Sequence, residues 1–529
     1  MPFLPMRKNT TLNKSAPRWS AIFAAIFALF FVAAINDARA QFTFASDSAD
    51  NYGGSWANGS DQGTGFNGWG LTAGANSGGF IGNPSTDGMG TTGLGTTAFG
   101  TYSTGSGYFN ASRGFEVGMG IGDTFTFYWA INFDAGGGSK GFDLRSDGTT
   151  IFNVNNTGSS TITTTGGGSL TGYGTTPMLV TLTRTSASGY SFSMTSRSGG
   201  STFSTNISSS STINNFNFYI GNQNDGDGRK NMFFDTFSIT NSGVFSQGGS
   251  VTNANTFSGS GALSIGNSTT LVLSGGGNNN YTGATTISNG STLVFAGAGT
   301  SQFASTIGGG TVNVVMSNSS GTVILTNNNT YTGNTTVAAG ILRIGHANAM
   351  GSTGTLTVNS AGQLQLSNGI SINRAITLSG DGPGSGALRS VSGDNTWQGN
   401  ITLGSGTRIN SDTGLLTLSG SVSGGANTLF LGGAGNLSIG GQITATLTTG
   451  NGAIFKDGSG ALTLSANNSG LTGLVRLREG TISITNGNSL GSGSLELGVG
   501  SATATLLVNS NTTIANRLEV ADSSSAGVI

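Results

Sequence analysis

Cysteine is absent from this 529-residue chain, and proline and histidine are nearly so, at six and one. Without cysteine there is no disulfide framework, no thiol nucleophile and no thiolate metal site. A long repetitive fold has enough core to do without staples. A chain that must thread an outer-membrane pore unfolded would also avoid disulfide loops. Charge is scarce as well: 8 % of residues, against about 25 % in ordinary globular proteins. The net charge is −1, and the first 40 residues are basic, so the remainder is mildly acidic. A nucleic-acid partner needs basic patches and is not expected. Beyond the first 40 residues no apolar run could span a bilayer as a helix.

Those first 40 residues read as a signal peptide. Arg7, Lys8, Lys14 and Arg18 precede an unbroken apolar run over 21–35, and Ala38-Arg39-Ala40 supplies a small-x-small cleavage site. The run is shorter than the roughly 20 residues of a membrane span.

What the chain has in abundance is glycine, 93 residues, together with Thr, Ser, Asn and β-branched residues. That mixture reads as β-strands joined by tight turns. The expected class is all-β: an N-terminal β-sandwich over 41–242, a linker over 243–255, and a parallel β-helix over 256–529. In the first region, 124–134 (TFTFYWAINFD) alternates with a period of two. Asp147-Gly148 reads as a type I′ hairpin turn. The segments 178–183 and 190–195 flank a second turn. A jelly-roll-like arrangement fits these antiparallel strands. Residues 53–69 and 234–240 resemble the concanavalin-like sandwich domains of secreted bacterial proteins.

From 256 onward a motif recurs: a bulky apolar residue, any residue, Gly, then a second Gly seven positions later. Its copies are Tyr281-x-Gly283 with Gly290, Tyr331-x-Gly333 with Gly340, Trp397-x-Gly399 with Gly406, and Leu471-x-Gly473 with Gly480. Internal repetition of this kind marks a solenoid. Each copy reads as strand, corner, strand, corner, strand. The glycines are expected to supply positive φ at corners, and the bulky residues to pack at one repeated corner. Stacked Asn side chains are expected to form ladders inside. Coils of about 22 residues stacked at about 4.8 Å give a stalk about 60 Å long.

The segments GNNNYTGATTISNGSTLVF, TNNNTYTGNTTVAAGILRI and GSGALTLSANNSGLTGLVRLREGTISI resemble the passenger-associated transport repeat, also called the autotransporter-associated β-strand repeat. The fourth copy departs from that pattern, with Leu471 for the aromatic and Arg476, Arg478 and Glu479 on the next strand. The resemblance implies a β-helical passenger exported to a bacterial surface, often beside a C-terminal membrane barrel that is not in this sequence. Internal alignment matches Val520 to Leu378, which precedes Trp397 by nineteen residues. The chain stops nine residues after Val520, so it reads as ending within a repeat.

Chemistry-bearing residues are few. After residue 250 the acids are Asp381, Asp394, Asp412, Asp457, Glu479, Glu496, Glu519 and Asp522, scattered without a D-x-D pair. A glycosidase needs two cooperating carboxylates. His346 stands in a loop-like stretch with no nucleophile motif near it. Segment 222–228 (NQNDGDG) is dense in oxygen ligands but lacks the acid that closes an EF-hand, and reads as a turn before a calcium loop. Trp56, Trp69 and Tyr102 are candidates for stacking on sugar rings; core packing is the alternative. No catalytic, metal or cofactor site is expected. The expectation is an exported, surface-displayed or secreted structural, adhesin-like protein whose partners are surface glycans or other extracellular matter. The alternatives are a carbohydrate-binding head and, less favoured, a β-helix polysaccharide-degrading enzyme.

Overall fold

A computed structural model describes residues 42–132, 138–157, 160–196, 202–223, 231–246, 248–311, 313–444, 454–498, 503–509 and 511–520. The signal-peptide segment, most of the NQNDGDG turn and residues 521–529 lie outside the described residues. Among those described there is no α-helix, only the short 3₁₀ turns Ala49–Tyr52 and Pro84–Asp87.

The head is two packed antiparallel sheets. One has eight strands, in the order Thr202–Ser208, Gly189–Ser196, Met178–Ser186, Asp123–Ile131, Met232–Asn241, Ala98–Ser103 and Ser77–Gly82, with Phe42–Asp47 also on Met232–Asn241. The other has seven, from Ser169–Thr171 at one edge to Gly70–Ala73 at the other. The non-sequential order is that of a sandwich, and the period of two in Asp123–Ile131 decides which side faces in. Phe125, Phe127 and Trp129 are fully buried while Thr124 and Thr126 face outward. Phe218 and Phe234, one from each sheet, stack with ring centroids 3.7 Å apart. The Asp147-Gly148 hairpin forms between Ser139–Ser146 and Thr149–Asn156, with φ of 47° and 83° at its centre.

The stalk is a parallel β-solenoid of about 12 turns. A coil takes 20 to 25 residues, as the side chains that bridge neighbouring coils show. An 18-stranded parallel sheet supplies two of its faces, because Thr335–Ile344, Leu356–Leu366 and Ile401–Ser411 run on around a corner. Sheets of four and seven strands supply further rungs. Inside, like residues stack in columns. Leu273, Phe295, Met316, Val337, Val358, Leu378 and Leu403 lie one above another, each at most 4 % exposed. Each such side chain contributes about 1.5–3 kcal/mol of burial.

The segment 243–255, expected to be a linker, is the first coil. Val244–Phe245 pairs in parallel with Leu263–Ile265, and Gly249–Asn253 with Thr269–Leu273. Its Ser, Gly and Asn content is that of solenoid corners, which local composition does not distinguish from a spacer. Head and stalk are therefore continuous. Phe42, on a head strand, sits edge-on to Phe257 and Tyr281 of the stalk core at 4.7 and 5.4 Å, closing that end of the solenoid.

The repeat itself differs from expectation in three ways. First, the bulky residues are all buried, but at different corners. The strand after Tyr281 joins the four-stranded sheet, those after Tyr331 and Trp397 share one face of the long sheet, and that after Leu471 lies on its other face. Tyr281 and Tyr331 are 50 positions apart, whereas coils in this part of the stalk take 21 or 22 residues (Leu271 to Leu293 to Val314 to Thr335), so the two tyrosines do not fall at the same corner. Second, positive φ explains the second glycine of three copies (Gly290, Gly340 and Gly480) but not the first. Gly283 and Gly399 are needed because successive coils approach too closely there for a side chain. A Cβ at Gly399 would lie 2.0 Å from the Arg374 carbonyl oxygen. Third, the buried Asn side chains of the repeat bond to the backbone of adjacent coils rather than to each other; the Asn348–Asn328 side-chain bond between coils, at 3.0 Å, is on the surface. Asn279, Asn329, Asn395 and Asn468, all buried, accept from the amides of Phe257, Ile307, Ile370 and Ile443, one coil back, at 2.8–3.0 Å. Asn329 and Asn468 also donate one coil forward, to the carbonyls of Ala349 and Ser489.

These two glycine roles make a test. Gly399→Ala is expected to cost about 3 kcal/mol through overpacking against backbone. Gly290→Ala, with its nearest foreign atom 3.3 Å away, is expected to cost about 1 kcal/mol of left-handed strain. Urea unfolding of both variants measures the difference; equal losses would remove the close-approach argument.

Candidate binding surfaces of the head and stalk

The sugar-stacking candidates separate on burial. Trp69 is 1 % exposed and Trp56 packs on Trp69, Phe99, Phe109 and Phe234 with centroids 4.9–5.9 Å away. Trp69 belongs to the core, and Trp56, half-buried, packs against it. Tyr102 remains 41 % exposed, beside Phe80, and Tyr108 is 49 % exposed.

His346 is half-buried, and its Nδ1 accepts from the Asn348 amide at 3.1 Å, a local turn bond. Four of the stalk acids are engaged singly. Asp412 pairs with Arg389, Asp457 with Arg408 and Glu496 with Arg476, each at 2.6–2.7 Å, while Asp394 accepts from the Leu415 amide at 2.8 Å. Among the described residues no group of three or more His, Cys, Asp or Glu is placed to hold a metal ion, and no helix is long and apolar enough to cross a membrane.

The faces of the stalk differ in chemistry. One presents the outward column Thr336, Thr357, Thr377, Thr402, Ser423 and Thr444, and another presents Thr396, Thr417, Ser438 and Thr463. The remaining one carries Arg408, Phe430, Phe455, Arg476, Glu496 and Glu519 in register. Phe430 and Phe455 stack at 5.2 Å, with Arg408, Arg476 and Arg478 over their rings at 4.7–5.6 Å. Arg476 and Arg478, two of the residues by which the fourth copy departs from the repeat, belong to this band. Arg476 pairs with Glu496 one coil on and Arg408 with Asp457 two coils on, part-exposed pairs that add at most about 1 kcal/mol each.

Arg113, Lys456 and Asp123 are among the buried charged groups that carried no sequence signal. Arg113 lies between the head sheets, ion-paired with Asp47, both side chains fully buried. Lys456 is buried in the stalk interior. Asp123 sits where head meets stalk and accepts from Gly120 N and Asn241 Nδ2 at 2.7 Å and from Asn255 Nδ2 at 3.2 Å. Burial pushes its carboxyl up to about 6.

Asp235 is another, 1 % exposed beside Thr236, a β-branched residue at φ 59°. Desolvation raises its carboxyl to about 7, opposed by the Ala49 amide at 2.8 Å. The fold holds a proton that the unfolded chain releases near pH 4, so head stability falls as pH rises from about 4 to about 7. Asp235→Asn mimics the neutral form. It is expected to remove the Asp235 share of that decline, leaving the smaller share due to Asp123, and to stabilise the head at pH 8 by about 2–4 kcal/mol. Thermal unfolding of both proteins from pH 4 to 8 checks this; parallel curves would refute it.

A concavity with mixed lining lies at the head–stalk junction, a cleft of about 320 Å³ bordered by Phe44, Glu116, Val117, Asn255, Thr256 and Ser258. Head and stalk each supply part of its wall.

Comparison with known proteins follows this geometry. The profile of the Passenger-associated-transport-repeat family matches residues 267–295, 318–344 and 454–484. Those segments contain the Tyr281, Tyr331 and Leu471 copies; the Trp397 copy lies outside them. The chain is 30 % identical over 187 residues to the adhesin BmaC autotransporter of Brucella suis biovar 1 (strain 1330). The match covers 30 % of this chain and only 5 % of that protein's length. Among solved structures, the chain is similar to the receptor-binding domain of botulinum neurotoxin D (12 % identity, 33 % of this chain and 44 % of that one, TM-score 0.22). It is also similar to the CBM2 module of the Lactobacillus casei BL23 phage J-1 evolved Dit (11 %, 38 % and 97 %, TM-score 0.23). Winged bean acidic lectin is a third such structure (10 %, 37 % and 97 %, TM-score 0.22). At these TM-scores the structural likenesses carry no argument.

Proposed function

We propose that this passenger-associated-transport-repeat protein is a surface-displayed, adhesin-like passenger: a non-enzymatic β-solenoid stalk that carries a β-sandwich head. The observation that carries the reading is the continuity of the two. The repeats build a solenoid whose first coil is closed by a head strand, so stalk and head present as one rod. The signal-peptide pattern over 1–40 supports export, and the similarity to an autotransporter adhesin supports display at a cell surface. The carboxylates of Asp394, Asp412, Asp457 and Glu496 are each tied singly to an arginine or a backbone amide, which supports a scaffold over a polysaccharide-cleaving enzyme.

The test is display and adhesion. Cells producing the chain in its native context should lose it to protease added outside while intact. Beads coated with the purified chain should be retained on mucin or epithelial monolayers more than beads coated with residues of the stalk's surface chemistry alone, such as a Thr-rich inert protein. Protection from external protease together with equal bead retention would refute the proposal.

A second reading assigns carbohydrate binding to the head. Trp56 and Trp69 do not support it, since Trp69 is core and Trp56 is packed against it. The mixed polar and aromatic cleft at the junction does, since small-molecule sites are concave with a few convergent polar groups.

A further inference from the structure

We infer that the head–stalk cleft is a monosaccharide site, taking one uncharged pyranose ring with free vicinal hydroxyls. This rests on the reading that the head is the adhesive part and names the ligand class and the residues.

The size sets the ligand first. At about 320 Å³ the cleft is at the lower end of the ~300–1,000 Å³ usual for small-molecule sites, which fits one ring better than an extended chain. The lining then sets its chemistry. Phe44 is half-buried, held edge-on to Phe257 at 5.3 Å, and its remaining surface lines the cleft. Val117, 38 % exposed, adds apolar surface. Apolar contact of this kind suits the C–H face of a sugar ring. Thr256 and Ser258 contribute hydroxyls that both donate and accept, and Glu116 contributes a carboxylate that accepts two hydrogen bonds.

Charge decides between sugar classes. Glu116 is the sole charged residue of the lining, and it makes no ion pair among the described residues. No arginine or lysine lines the cleft, and Arg184, whose charge reaches Asp123 at the junction, is committed to backbone carbonyls: those of Met119, Ser186 and Ala187. With no cation to receive it, a sialic acid, uronic acid or phosphate would meet a like charge. A neutral hydroxylated ring meets acceptors and donors it can satisfy.

The site also has a mechanical setting. Asn255, on its rim, donates to Asp123 of the head at 3.2 Å, and Thr256 precedes Phe257, whose ring packs on Phe42. The stalk wall of the cleft is thus fixed to the head by buried contacts, and the ligand would span a preformed joint rather than a flexible one.

Saturation-transfer difference NMR on the purified chain tests this, with methyl pyranosides of glucose, galactose, mannose and N-acetylglucosamine, and with glucuronate as the anionic comparison. At least one neutral glycoside is expected to give saturable signal. Its affinity is expected to fall at least tenfold in both Glu116→Gln and Thr256→Val. These are near-isosteric surface changes, so a thermal unfolding curve matching the parent separates lost binding from lost fold. Absence of binding by every neutral glycoside, unchanged affinity in both variants, or tighter binding of glucuronate would each overturn the inference. Bead adhesion that persists in both variants would leave the adhesin reading standing while removing this site.

Discussion

Replacing Arg113 with methionine is expected to lower the stability of the head by about 3–5 kcal/mol, the cost of leaving a buried charge without its partner. Arg113 reaches inward from Tyr108–Gly114 and ties together three parts of the sandwich. Its guanidinium pairs with Asp47 at the end of Phe42–Asp47 and with Asp61 at 2.6 Å, and its Nε donates to the Asn67 carbonyl at 2.6 Å. The same group lies over the rings of Phe66 and Trp69 at 5.0 and 5.1 Å. Asp47 in turn accepts from Tyr52 Oη at 2.7 Å and from Asn51 Nδ2 at 2.9 Å, and Tyr52 Oη accepts from Trp69 Nε1 at 3.1 Å. Burial, reinforced by Asp47, pushes the Tyr52 hydroxyl up to about 12.

Every member of this network depends on the cation at its centre. Without Arg113 the Asp47 carboxylate keeps two hydrogen bonds but loses its counter-charge in a dry site. Lysine is not an adequate substitute, because a single ammonium cannot serve Asp47, Asp61 and the Asn67 carbonyl in one plane. Near-UV circular dichroism follows the head, where Trp56, Trp69 and Trp129 sit. A melting midpoint lowered by about 10 °C is expected for Arg113→Met. Adding Asp47→Asn to that variant should restore at least 1 kcal/mol, because it removes the orphaned charge. A loss under 1 kcal/mol, or no recovery in the double variant, would show that the pair is dispensable.

Much of this architecture is legible in the sequence because its signals are local. The alternation in 124–131 and the Asp147-Gly148 turn are written within a few residues, and each forms as read. The Tyr281 and Tyr331 copies are legible for the same reason. What does not read out depends on quantities the local pattern lacks. The corner at which each copy packs depends on residues per coil, which vary between 20 and 25 along the stalk. The first coil at 243–255 has a spacer's composition. The exposure of Trp56, Trp69 and Tyr102 depends on where a loop folds, not on the aromatics themselves. Arg113, Asp123 and Lys456 meet partners that are distant in sequence or are backbone carbonyls. Nothing beside them announces burial, whereas Arg476 and Arg478 stand out because a repeat provides the background.

Raising the pH from 7 to 10 is expected to stabilise the stalk by about 2–3 kcal/mol through Lys456 alone. Its side chain points inward in register between Leu431 and Leu477, where the repeat otherwise places leucine. The ammonium is held by the carbonyls of Asp457 at 2.7 Å and Gly458 at 2.6 Å in its own coil, and of Glu479 at 3.2 Å in the next. Desolvation lowers its pKa to about 8, and the charges of Asp457 and Glu479 oppose the shift only in part. The folded state therefore releases the proton near pH 8, while the unfolded chain keeps it to about 10.5. Between those values the unfolded state binds more protons, so stability rises with pH. Above pH 10 the trend reverses. Burial raises the hydroxyls of Tyr281 and Tyr331 well above their ordinary range, and the unfolded chain ionises them first. Stability should thus peak near pH 10. Lys456→Met fills the same column without the charge and should lose the rise from pH 7 to 10. It leaves three carbonyls without their donor, so its stability at pH 10 should lie below the parent's. Urea unfolding followed by Trp397 fluorescence at pH 7, 8, 9 and 10 measures both curves. A Met variant that keeps the rise would place its cause elsewhere in the stalk.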